Sequence, residues 1–313
     1  MLKLPLISIA VCTFNGEKHI YEQLDSLVNQ TYSNKEIIII DDHSDDDTLN
    51  ILLQYQSKYP FVKVYQNELN LGYIKNFEKT ILLCKGDYIT ISDQDDIWNL
   101  EKLSTLQSNI RNEDIMIYHD SAIVDENGKS LRKSLSKAIG YISGTANKNL
   151  LLNNCIAGHA MMFRRSLFDY IFPVPLTVPY DHWIAYISLT VGSVRYLKQN
   201  LVAYRQHTSS VTYYLHSKDN GENIDKQTNR AYDKKTVNNV RIKHLETFLT
   251  FKGNSNLDKE FIETLIKLLS NRTYRFFSFK LFIFLTYNQF SLFRLYHKSF
   301  LSTSNLIFKE CKS

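Results

Sequence analysis

Apolar residues in the first third of the chain fall into short unbroken runs that alternate with stretches of helical spacing. Residues 6–12 (LISIAVC) are such a run, as a strand covered on both faces requires. Ile20, Leu24, Leu27 and Val28 then recur at helical spacing. Residues 36–40 (EIIII) repeat the strand pattern, and Leu49, Leu52 and Leu53 the helical one. A third strand is predicted over residues 62–65, and a third helix carries Ile74, Phe77 and Ile81 up to Gly86. Residues 88–92 make a fourth strand. This alternation predicts an α/β fold with a mostly parallel sheet, right-handed crossovers and flanking helices.

Ligands of such sheets sit beyond the carboxyl ends of the strands. Three polar clusters occupy those ends: Thr13-Phe14-Asn15, Asp41-Asp42, and Asp93-Gln94-Asp95-Asp96. Each alone reads as a turn or a helix cap. Their predicted convergence on one sheet edge changes the balance, because packed carboxylates repel unless a cation or proton compensates. A hard divalent ion such as Mn²⁺ or Mg²⁺ takes oxygen ligands of this kind, often together with phosphates. The first strand is not followed by GxGxxG, and no GxxxxGK[ST] occurs, which argues against a dehydrogenase and a P-loop enzyme.

Beyond residue 110 the pattern is mixed. Strand-like pieces stand at 115–119 and 194–197, with a turn at Glu126-Asn127-Gly128. Residues 218–235 are polar and read as a loop or linker, and from Val237 onward the spacing is helical. The net charge of +5 is unevenly placed: between Glu263 and Glu310 there is no acid but there are seven Lys and Arg. Such a basic stretch suits an anionic partner such as a membrane surface or nucleic acid. Cys12, Cys84, Cys155 and Cys311 are scattered without a CxxC pair, which fits a reducing compartment rather than a zinc or disulfide framework. The first residues run into a strand without the regions of a signal peptide, so a cytosolic protein is expected.

In order, TFNGEKHI, LDSLVNQTY, IIIIDDHSDDDT, NLGYIKNFEK and KGDYITISDQDDIW resemble the family 2 glycosyltransferases of GT-A fold. The likeness is close over about the first 110 residues and looser to about residue 212. It implies an enzyme that uses a nucleotide-diphosphate sugar, with UDP and dTDP sugars both plausible donors. It implies that Asp42 binds the base, that Asp93 lies near ribose or sugar, and that Asp95 of the DxD motif is the main ligand of Mn²⁺ or Mg²⁺. Thr13, Asn15 and Glu17 would line the nucleotide pocket, with Asn70 and Lys75 nearby. In Pro179-Tyr180-Asp181-His182-Trp183, the resemblance makes Asp181 the catalytic base of an inverting reaction. Many relatives carry two acids there, whereas this chain has Tyr180 before Asp181. In Tyr204-Arg205-Gln206-His207, His207 would reach the metal or the diphosphate, and His159 and Trp183 would stand on the acceptor side.

The resulting organisation is a catalytic unit over residues 1–215, a polar linker over 216–236 and a helical, basic, aromatic region over 237–313. Within the catalytic unit, residues 1–110 form the nucleotide half and 111–215 the acceptor half. Phe276, Phe279, Ile283, Tyr287, Phe290 and Phe293 recur at helical spacing, but Lys280, Asn288 and Gln289 interrupt any membrane span. Two readings remain for this segment: an amphipathic surface on an anionic leaflet, or aromatics packed back on the catalytic unit. The expected acceptor is a saccharide or lipid-linked saccharide of surface-polysaccharide synthesis, including rhamnosyl transfer, at the inner face of the plasma membrane, with no nucleic-acid partner. The alternatives are a sugar-1-phosphate nucleotidyltransferase, against which the sequence after the first strand speaks, and a non-catalytic sugar-nucleotide binding protein.

Overall fold

The computed structural model of the chain describes residues 4–206, 234–272, 277–293 and 300–311. Its first half alternates as the apolar runs require: β1 (Ile7–Thr13), α1 (Ile20–Val28), β2 (Lys35–Asp41), α2 (Thr48–Lys58), β3 (Val62–Gln66), α3 (Tyr73–Leu83) and β4 (Tyr88–Ser92). β1 pairs in parallel with β2 and β4, and β2 with β3. Side chains of β1 alternate between two cores: Ala10 and Cys12 face one, and Ile7, Ile9 and Val11 the other. Ile38 and its neighbours Ile37 and Ile39 divide in the same way on β2. Burial on both faces is why these strands are apolar without alternation.

The second half completes a nine-stranded mixed sheet. It runs β5 (Ile97–Trp98), α4 (Lys102–Asn109), β6 (Asp114–Val124), β7 (Ser130–Ser134), α5 (Leu135–Ile139), β8 (Met161–Arg164), α6 (Phe168–Ile171), α7 (Tyr180–Val191) and β9 (Ser193–Arg205). The strand order is β3-β2-β1-β4-β8-β6-β9-β5, with β7 added to β6. β8 runs antiparallel to both β4 and β6, whereas β6 and β9 are parallel. β6 and β9 are both longer than their apolar cores at 115–119 and 194–197 suggest. Their register shifts around His119 and Asp120, and Asp120 pairs with Asn200.

Four helices and a short helical turn follow: α8 (Lys234–Leu249), α9 (Asn256–Ser270), α10 (Phe279–Tyr287), α11 (Gln289–Leu292) and α12 (Phe300–Cys311). Leu245, Phe248 and Phe251 join the same core as Met116, Phe163 and Tyr186, and Leu265, Leu281 and Ile307 extend it. Phe248 stacks on Tyr186 at 4.3 Å and lies parallel to Trp183 at 6.4 Å. The ion pair Arg241–Glu310, 2.9 Å long, ties α8 to α12. No described helix is long and apolar enough to cross a membrane.

Because α8 closes the core behind α7, Phe248→Ala should cost about 3–5 kcal/mol, the range for truncating a fully buried aromatic. Urea unfolding of the whole chain measures this. A cost near zero would show that α8 packs on the catalytic unit without supporting it.

Candidate active site

The carboxyl ends of β1, β2 and β4 open on a cavity of about 690 Å³, closed on its far side by residues 154–159 and the start of α7. Its lining includes Thr13, Asp42, Asn70, Asp93, Asp95, His159 and Asp181. On the β1 side, Gln94 grips the backbone of Phe14 twice: Phe14 N–H donates to Oε1 at 2.8 Å and Nε2 donates to Phe14 O at 3.1 Å. A Cβ on Gly16 would come within 2.5 Å of that Oε1, so only glycine leaves the clamp in place. Thr13 Oγ1 donates to Asp41 Oδ1 at 2.9 Å, which joins β1 to β2.

Asp42 is buried and organises the loop before α3. Its Oδ1 accepts from Leu71 N at 2.8 Å and Asn67 Nδ2 at 2.7 Å, and its Oδ2 from Gly72 N at 2.9 Å. Asn70 is held at the cavity by the same loop, its Oδ1 accepting from Gly72 N at 3.0 Å.

Not every residue expected here faces the cavity. Asn15, at φ 48°, accepts from Asp45 N through Oδ1, and Glu17 accepts from Asp47 N, both at 2.9 Å. They lace the loop after β1 to the loop after β2 and do not line the cavity. Lys75 pairs with Glu78 at 2.5 Å, one helical turn on along α3, and also stays off the cavity. Trp183 points into the core, its Nε1 donating to Ile171 O at 2.8 Å. It stands two positions after Asp181 on α7, and a separation of two turns a helical side chain to the opposite side. His207 lies outside the described residues.

The carboxylates after β4 are fixed by a buried arginine. Arg205, at the end of β9, donates from Nε to Asp95 O (2.8 Å), from Nη1 to Glu126 O (2.6 Å) and from Nη2 to Glu22 Oε2 (2.6 Å). Its backbone N–H donates to Asp96 Oδ1 at 3.1 Å. Asp96 is fully buried, and its Oδ2 finds no hydrogen-bond partner among the described residues. Burial, then the charges of Asp95 and Asp93, push its carboxyl well above the usual range. Burial likewise pushes the Lys102 ammonium well down. Lys102 donates to His159 O at 2.7 Å and sits over the Trp98 ring.

His159 is buried, stacked on Tyr204 at 4.8 Å, with Nε2 2.9 Å from Ser121 Oγ. Its Nδ1 faces Asp93 Oδ2 at 3.7 Å and Asp96 Oδ2 at 3.6 Å. Asp93, Asp96 and His159 each offer one ligand atom, all within 4.8 Å of one another. Asp95 lines the cavity beside this trio without belonging to it.

Asp181 begins α7 on the opposite wall, its Oδ1 accepting from His182 N at 2.7 Å. Enclosure raises its carboxyl from the ordinary 3.8 to about 7; the His182 amide opposes this, and the charge of Asp93 adds to it. Tyr180 packs on Phe77 at 4.3 Å, and its hydroxyl approaches Gly158 so closely that any side chain there would collide with it.

The family described as glycosyl transferase family 2 matches residues 8–172, just over half the chain. The chain belongs to this family. An uncharacterized glycosyltransferase of Haemophilus influenzae is 29% identical over 294 residues, spanning 84% of this chain and 87% of its own. A cholesterol galactosyltransferase of Borreliella burgdorferi is 36% identical over 90 residues, 29% of this chain and 25% of its own. Among solved structures, S. aureus TarS in complex with UDP-GlcNAc superposes with TM-score 0.61 at 16% identity, covering 98% of this chain and 91% of that one. The Pyrobaculum calidifontis mannosyltransferase PcManGT, in complex with GDP-Man and Mn²⁺, gives 0.54 at 14% identity, covering 85% and 71%. The transferase therefore has the GT-A fold, and α8 to α12 supply its helical C-terminal region.

A divalent cation fits the residues of this transferase. The orphaned, buried Oδ2 of Asp96 and the His159 nitrogen facing two carboxylates lack the positive charge that such an arrangement calls for. Arg205 supports the segment that carries these carboxylates through Asp95 O and Asp96 Oδ1. Arg205→Lys keeps the charge but loses the fork, and should weaken Mn²⁺ binding about 10–100-fold, the usual cost of removing an outer support. Isothermal titration with Mn²⁺ checks it; unchanged affinity would show that the loop holds its shape without Arg205.

Proposed function

We propose that the chain is an inverting, metal-dependent glycosyltransferase that moves a sugar from a nucleotide-diphosphate donor to a saccharide or lipid-linked saccharide. Asp181 carries this reading: a carboxylate with its affinity for protons raised to about 7 stands across the cavity from Asp93 and Asp95. A general base works best when its pKa lies near the operating pH.

Asp42, Asn70 and Thr13 stand on the nucleotide side, where Asp42 Oδ2 has one lone pair left to accept from a base. Asp93, Asp96 and His159, with Asp95 beside them, would hold a Mn²⁺ or Mg²⁺ ion. When bound, the ion offsets the negative charge that builds on the departing nucleoside diphosphate. Asp181 takes the proton of the acceptor hydroxyl as its oxygen attacks the anomeric carbon. A single displacement inverts that centre, so no protein nucleophile takes part. Tyr180 and Phe77 pack together beside this wall.

UDP and dTDP sugars are the proposed donors; TarS is a relative in fold crystallised with UDP-GlcNAc and with UDP. The setting is surface-polysaccharide synthesis, rhamnosyl transfer included, on the cytoplasmic side of the membrane. All four cysteines are free and buried, in keeping with a reducing compartment.

Asp181→Asn should lower kcat about 10²–10⁴-fold while donor binding persists. Steady-state turnover and calorimetry on the same preparation separate the two, and retained turnover would remove Asp181 from the chemistry. For the unsubstituted enzyme, kcat should rise about tenfold per pH unit below about 7 and level off above it.

The same shift predicts a stability effect of definite sign. The folded state holds the Asp181 proton more tightly than the unfolded state does. The resulting stabilisation is complete below the ordinary 3.8 and is lost as pH rises through about 7. Asp181→Asn should therefore be more resistant to urea than the parent at pH 8. Equal midpoints at pH 8 would mean that burial of Asp181 carries no such penalty.

A further inference from the structure

Helix α10 carries apolar side chains on two sides, and only one of them is used by the core. Leu281 and Leu285 are buried, with Leu292 continuing that side. On the other side Phe279, Ile283, Tyr287 and Phe290 are 70, 65, 87 and 77% exposed. Their spacing of four, four and three residues puts them in one stripe along α10 and into α11. Scattered exposed apolar residues need no explanation, but a contiguous stripe of three aromatics and an isoleucine marks a contact surface.

The charge around the stripe selects the partner. Lys280 is exposed at its edge, Lys309 is exposed on the adjoining α12, and the sequence from residue 264 to 309 holds no acid to oppose them. Aromatic and aliphatic groups flanked by cations suit the interface of a bilayer with anionic headgroups. A second copy of the chain fits less well, since a two-fold contact would bring the same basic surroundings face to face.

Position adds a reason. α11 lies against the turn Asn147–Leu150, and the chain running on from that turn forms the cavity wall at Asn154–Gly158. Leu150 O also accepts from His182 Nε2 at 2.6 Å, and His182 lines the cavity next to Asp181.

We propose that the stripe Phe279–Ile283–Tyr287–Phe290 docks on an anionic phospholipid surface and so presents the acceptor side of the cavity to saccharides carried on lipid. The docking itself stands without the transferase reading; only its purpose rests on that reading.

The test is co-sedimentation of the full chain with vesicles of phosphatidylcholine alone and of phosphatidylcholine mixed with phosphatidylglycerol. Binding should need the anionic lipid and weaken with salt. The double substitution Tyr287→Ser/Phe290→Ser should weaken it about tenfold or more, at unchanged nucleotide affinity and unchanged turnover on a water-soluble acceptor. Leu176→Ser, an exposed leucine off the stripe, should leave vesicle binding intact. Equal binding by the double variant, or no preference for anionic vesicles, would overturn the proposal. So would a dimer, seen by analytical ultracentrifugation, that the double substitution abolishes. No nucleotide enters the vesicle assay, so its failure is separable from failure of the transferase reading, which nucleotide affinity reports.

Discussion

The structure depends on holding several carboxylates together at one sheet edge against their mutual repulsion. Asp93, Asp95 and Asp96 follow a single strand, and Asp42 and Asp181 face the same cavity. Water would screen such a group on a surface, but Asp96 is fully buried and cannot be screened. Arg205 restrains the loop from behind with its guanidinium and its backbone amide. Gln94 restrains it from the side through Phe14. Order in the acidic loop therefore comes from groups that leave the cavity-facing oxygens available. The positive charge still missing at Asp93, Asp96 and His159 is what a divalent ion can supply.

How much of this was legible in sequence follows from what kind of signal each part leaves. β1, β2 and β4 were readable because strands buried on both faces are mostly apolar, as residues 37–40 are. The convergence of strand ends was readable because parallel connectivity forces it. β6 and β9 were only half visible: their pairing runs through polar residues such as His119, Asp120 and Asn200, which carry no apolar pattern. Arg205 and Lys102 were missed for a related reason. A buried cation looks like any surface cation until its partners are known, although Arg205 sits in the YRxH segment that the family resemblance had singled out. Asp96 was hidden beside the DxD motif, and only burial separates it from Asp95. Asn15 and Glu17 adjoin the cavity in sequence, yet their side chains are consumed in tying two loops together.

The C-terminal region shows why the two readings of its aromatics could not be separated by spacing. One helix carries an inward apolar face and an exposed one: Leu281 and Leu285 pack inward, while Phe279, Ile283 and Tyr287 face out, with Lys280 among them. Periodicity distinguishes a polar face from an apolar one and is silent when both faces are apolar. The inward face also explains why the catalytic unit and the helices after it share one core.

The central claim is that the carboxylates gathered at the strand ends bind a nucleoside diphosphate through a divalent cation. Calorimetric titration of the full chain with UDP, dTDP, GDP and CDP, each with and without Mn²⁺, tests it most directly. The account predicts tight binding of one uridine or deoxythymidine nucleotide that depends on Mn²⁺. Binding that is equally tight without the metal, or absent for all four nucleotides, would contradict it.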